Sequence, residues 1–112
     1  MTYKTETMLW LAQRASAALL AACVVVHLGT IVYAVQGGLS AAEILARTRG
    51  SVAWFGFYTL FVFAIAVHVP IGLRSVLAEW LKWRGASRDA ALAALAVLLT
   101  WGGLRAIFGL FA

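Results

Sequence analysis

The stretch "AVHVPIGLRSVLAEW", Ala66 to Trp80, places an ionisable ring inside an apolar run that has no charge until Arg74. Positions 50 to 73, between Arg49 and Arg74, carry no Asp, Glu, Lys or Arg. A helix crossing a bilayer needs roughly 20 mainly apolar residues, so this run is long enough to span. The same pattern occurs on either side. Positions 15 to 42, between Arg14 and Glu43, are uncharged, as are positions 90 to 104, between Asp89 and Arg105. The third run extends to the chain end if Arg105 snorkels to the interface. The spacing predicts an all-α integral membrane protein with three transmembrane helices, about 11–35, 52–77 and 89–111. They form one domain, 1–112, as part of a helical bundle.

Composition agrees. Of 112 residues, 64% are hydrophobic and 12% charged, and mean hydropathy is +0.95. A soluble domain of this size cannot hide so much apolar surface. The first run is too long, and its start too rich in polar and acidic residues, for a cleaved signal peptide. The net charge of +5 follows from topology and does not point to nucleic acid. Lys4, Arg14, Arg74, Lys82, Arg84 and Arg88 fall on one side, against Arg47, Arg49 and Arg105 on the other. The positive-inside rule then puts the N-terminus and the second loop in the cytoplasm. Trp10, Trp80 and Trp83 would form the inner aromatic belt, and Tyr33, Trp54 and Tyr58 the outer one.

Breaks are expected at Gln36-Gly37-Gly38 and Gly85-Ala86-Ser87. Between the first two spans, Ser40 to Gly50 reads as a short interfacial helix, with Ser40 and Glu43 as a capping box. Ser87 is the expected cap of the third span, with Asp89 in its first turn. Pro70 should kink the second span near Ala66. Cys23 is a mid-membrane packing residue.

The two histidines, His27 and His68, both lie inside spans. A buried imidazole in lipid is costly and marks a functional site by default. Metal or haem ligation, proton relay and structural hydrogen bonding are the readings open to it. Helical spacing puts Phe57, Phe61, Ala64, His68, Gly72, Ser75 and Glu79 on one stripe. Ala64 and Gly72 leave a slot about His68 that a flat macrocycle could use, with Phe61 packing further out. Close helix approach is the other use of such small residues. Gln13, Ser16, Leu20, Cys23 and His27 share a stripe of the first span. His27 lies 13 residues from Arg14, about 20 Å deep, and His68 six from Arg74, about 9 Å deep. A height difference of about 11 Å makes the pair poor ligands for one iron. It suggests two levels, each completed by another chain.

These residues resemble the large cytochrome b membrane anchor subunit of succinate dehydrogenase and fumarate reductase, respiratory complex II. The family opens its first helix with Arg-x-Ser, here "QRASAALL" with Arg14 and Ser16. Its second signature is His-x3-Gly-x-Arg followed by an acid, here His68, Gly72, Arg74 and Glu79. The likeness covers most of the chain. It implies that His68 is an axial ligand of haem b, that Arg14 and Ser16 border a ubiquinone or menaquinone site, and that Arg74 meets haem propionates. Gln13 stands where many members have histidine, Ala17 where glycine is common, Glu79 for aspartate and Ser75 for a frequent histidine. His27 is absent from the one-haem branch and matches an outer ligand of the two-haem branch.

The resemblance implies an anchor and electron conduit in the bacterial inner membrane, taking electrons from a cytoplasmic iron–sulfur subunit that a flavoprotein subunit feeds. A sister anchor subunit or a second copy of this chain would supply the remaining haem ligands. One cysteine cannot hold a cluster, and no Gly-rich nucleotide loop is present, so no dehydrogenase activity is expected of the chain alone. Rival readings are a haem b anchor for a different dehydrogenase or hydrogenase, a small non-haem transporter or proton-conducting protein, and a structural assembly factor. The transporter reading calls for intramembrane acids, and none of the four acids lies mid-span.

Overall fold

A computed structural model describes residues 2–111. Four helices follow in order: α1 Tyr3–Gly37, α2 Ala41–Thr48, α3 Val52–Trp80 and α4 Ala86–Phe111. No strand is present among the described residues. Helices α1, α3 and α4 are each long and apolar enough to cross a membrane. Helix α3 is the middle of a row: it packs against α1 on one side and α4 on the other, while α1 and α4 hardly meet.

The helices outrun their apolar runs. With 35 residues, α1 is about 52 Å long, against a hydrocarbon core of about 30 Å. Its first two turns precede the expected span. They are capped by Thr2, whose hydroxyl accepts the Thr5 N–H, and Glu6 sits in the first turn. The helix stops at Gly38, whose φ of +126° suits glycine, and where a Cβ would collide with the Glu43 carboxylate.

Helix α2 forms where the cap signal placed it. Ser40 Oγ accepts the Glu43 N–H at 3.2 Å and donates to Glu43 Oε1 at 2.9 Å. The carboxylate therefore meets the hydroxyl and not the Ser40 backbone, so the box is half formed. Thr48 Oγ1 donates to the Leu110 carbonyl at 3.0 Å, which ties α2 to the end of α4. Helix α3 runs unbroken through Pro70.

The second break differs from the expected one. It falls at residues 81–85, where Lys82 has a φ of +57° and the Trp83 N–H returns to the Leu77 carbonyl. Ala86 and Ser87 already belong to α4. Ser87 is not its cap: its hydroxyl accepts the Trp83 Nε1–H at 2.9 Å, and the Gly85 carbonyl takes the Asp89 N–H instead. Arg88 is no free loop charge. It is buried, 6% exposed, and its Nη2 lies 2.9 Å from Asp89 Oδ1.

Few side chains are enclosed by the chain itself: Ser16, Cys23, Ala64, Arg88, Leu92 and Ile107. Apolar side chains such as Val25, Phe63, Val97 and Trp101 point outward. In water that surface would be untenable; lipid tails are as apolar as the side chains themselves.

Candidate functional site

The face that α1 turns inward is the stripe expected from its periodicity. Ser16 and Cys23 are buried, and Gln13, Leu20 and His27 are half-buried on the same face. Two contacts set the antiparallel register with α3. At one end, a Cβ on Gly72 would lie 3.1 Å from Gln13 Nε2. At the other, the His27 ring meets Tyr58 and Phe61 edge-on, with centroids 5.9 and 5.6 Å apart. His68 therefore stands one turn from the Gln13 level and seven residues from Phe61, about 10 Å along the axis. The two imidazoles occupy different heights in the α1–α3 seam.

At the His68 level the seam holds unmet polar groups. His68 Nδ1 and Gln13 Oε1 are enclosed without a hydrogen-bond partner. His68 Nε2 is not enclosed in this way, and the residue is half-buried. Ala64, one turn away, is buried at 4% exposure. The Gly72 slot is filled by the Gln13 amide, so that glycine serves helix approach. Phe61 belongs with His27: its ring packs on that imidazole, seven residues from His68.

Arg14 and Ser16 are separated by the helix surface. Ser16 is buried and its hydroxyl donates to the Gln13 carbonyl at 3.1 Å, back along its own helix. Arg14 points outward, its guanidinium 5.3 Å from the centre of the Trp10 ring. Arg74, on the last turns of α3, forks onto Glu6: Nη2 to Oε1 is 2.9 Å and Nη1 to Oε2 is 3.5 Å. This cross-helix pair joins residues 68 positions apart and was invisible in the local sequence.

His27 has a fuller setting. Its Nδ1 lies 3.5 Å from Tyr58 Oη, and the Thr30 hydroxyl donates to its carbonyl at 2.7 Å. The ring borders an open groove of about 830 Å³ lined by residues of α1, α2 and α3 and by Leu110 of α4. Trp54, Tyr58 and Arg47 also line it. Residues 54, 57, 58 and 61 repeat at helical spacing, and their rings form a continuous aromatic cluster. The belt and charge rules give Trp54 and Tyr58 only an interfacial role and count Arg47 only among the charges of the outer side; the spacing of 54, 58 and 61 is the sequence signal for the cluster.

Among the described residues, no three His, Cys, Asp or Glu side chains converge to hold a bare metal ion. One imidazole per level suits a prosthetic group that brings its own equatorial ligands, as haem does. The ring of His27, whose Nδ1 faces Tyr58 Oη, is compatible with that group, since a ligating imidazole is held through its other nitrogen; His68 Nδ1 has no such partner, and its ring is positioned by packing in the seam.

No curated protein and no solved structure matches the chain. A family model does: that of the succinate dehydrogenase/fumarate reductase transmembrane subunit, over residues 1–104. With three helices of membrane-spanning length and this match over most of its length, the chain is a multi-pass membrane protein and belongs to the succinate dehydrogenase/fumarate reductase transmembrane subunit family.

Proposed function

We propose that the whole chain is one cytochrome b anchor unit of a succinate:quinone oxidoreductase. It holds haem b through His68 at an inner level and through His27 at an outer one, and it borders the quinone site at its cytoplasmic end. The observation that carries the reading is His68: an imidazole half-buried in the seam between two membrane-spanning helices, with no hydrogen-bond partner for its enclosed Nδ1. Haem, when bound, supplies a one-electron carrier between iron–sulfur clusters and quinone.

The residues of this chain do the rest. The α1–α3 seam fixes the imidazole orientation. Arg74 offers a guanidinium fork for carboxylates, now shared with Glu6 at the rim. Ser16 places a hydroxyl beside a quinone carbonyl, and donating to that carbonyl requires its proton to turn away from the Gln13 carbonyl that it meets here. Arg14 faces outward, toward the place where a partner subunit would meet α1. The charge excess near Lys4, Lys82 and Arg84 supports a cytoplasmic N-terminus in a bacterial inner membrane. It supports docking of the iron–sulfur and flavoprotein subunits on that side. The row of three helices leaves α3 uncovered on its faces away from α1 and α4, which supports a sister anchor, or a second copy of this chain, as source of the other axial ligands.

A reduced-minus-oxidised spectrum of the purified complex, with haem quantified per chain, tests the reading. A b-type spectrum is expected; colourless material overturns it. The quinone site has its own test. Ser16→Ala is expected to raise the quinone KM about fivefold, the loss of a hydrogen bond worth about 1 kcal/mol. Succinate oxidation measured with a soluble dye should stay unchanged. An unaltered quinone KM would remove Ser16 from the site.

A further inference from the structure

The groove beside His27 has a composition that needs explaining. Its walls are mostly apolar, yet Arg47 lies in them. Arg47 follows Glu43 by one helical turn, the spacing at which the two could pair. They do not pair: the ion pairs of the described residues are Arg74–Glu6 and Arg88–Asp89. The Glu43 carboxylate holds Ser40. Arg47 instead leans back across the groove, with Nη2 donating to the Gly38 carbonyl at 2.8 Å and its guanidinium 5.3 Å from the centre of the Tyr33 ring. A half-buried guanidinium without an acid is costly in apolar surroundings, and a ligand carrying a carboxylate would offset that cost.

Size and access fit a large flat ligand. The groove volume of about 830 Å³ falls among those of ligand pockets, roughly 300–1,000 Å³. Gly29 lines it, and a Cβ there would meet nothing within 4 Å. His27 offers an imidazole on one wall and Arg47 a cation toward the membrane surface.

We infer that this groove is the seat of the outer haem, with Arg47 as the partner of a haem propionate. The inference rests on the proposed role of His27, and adds to it a site inside this chain and a residue that tunes it. Loss of the guanidinium leaves the propionate charge uncompensated, which favours the oxidised iron and lowers that haem's potential.

The test uses the assembled complex, with haem counted per assembly and potentials read by spectroscopic redox titration. Wild type should show two steps. Arg47→Gln should move one step to lower potential and leave the other in place, and Arg47→Lys should restore much of the shift. Gly29→Leu, which fills the groove without touching the α1–α2 corner, should remove one haem, as His27→Ala does. If His27→Ala removes a haem while Gly29→Leu and Arg47→Gln change neither count nor potentials, the groove is not its seat, although His27 remains a ligand. If His27→Ala removes none, the outer-ligand reading itself fails and the groove assignment falls with it. If Arg47→Gln disturbs both haems, the corner has unfolded, and Gly29→Leu decides: loss of one haem upholds the seat, and a full count overturns it.

Discussion

His68→Ala is expected to remove the inner haem from the assembled complex while the chain still inserts into the membrane. The reasons are geometric. His68 sits in the α1–α3 seam with no hydrogen bond to either neighbour helix, so its removal breaks no protein contact of that kind. It leaves a small cavity beside Gln13, which costs stability but does not separate helices held along their whole length. For the haem, by contrast, the imidazole is the one ligand this chain offers at that level. Haem content should fall by one per assembly if His27 serves a second haem, and to none if it does not. Full haem content in His68→Ala would sink the assignment, because no other imidazole lies within about 10 Å along the helix axis to replace it. A parallel His27→Ala measurement separates the two cases.

The second large effect is on stability and concerns neighbouring glycines of α4. A Cβ at Gly103 would lie 2.5 and 2.8 Å from the two methyl carbons of Val62, whereas a Cβ at Gly102 would meet nothing within 4 Å. Val62 is β-branched and held near one rotamer by its helix, so it cannot swing aside. Gly103→Ala should therefore destabilise by about 1–3 kcal/mol through overpacking, against a helix-propensity gain of about 1 kcal/mol. Gly102→Ala should keep the gain and show none of the penalty. Thermal unfolding in mild detergent reads both. The double variant Gly103→Ala/Val62→Ala should recover most of the loss, since the two positions are in contact and their effects couple. Equal behaviour of the two glycine variants would mean that α3 and α4 do not approach at Gly103.

Arg14 and Ser16 mark how far pattern reading reached. Periodicity placed Ser16 inward correctly, because a helix turns 100° per residue and the stripe through Gln13, Cys23 and His27 is regular. The same turn carries Arg14 to the outside, so a motif written as adjacent letters separates into an inner and an outer residue. Phe61 was grouped with His68 by a shared stripe, yet it packs on His27. A stripe fixes a face; only the register against α1 decides which neighbour meets which ring. Lys82, and not the glycine three positions on, makes the first left-handed turn after α3, so the break came earlier than composition suggested.

Sequence alone determined three spans, an all-helical chain, the capped α2 between the first two, and the inward stripes. Each follows from a local rule: about 20 apolar residues for a bilayer, charge at the ends, a hydroxyl before a helix and a 3.6-residue repeat. Tertiary structure decided the ion pair of Arg74 with Glu6, the groove joining His27 to Arg47, the glycine at which α3 and α4 touch, and the heights of the two imidazoles relative to each other's neighbours. These depend on how far one helix slides along another. Loop geometry and interlocking side chains set that offset, and no window of sequence contains both partners.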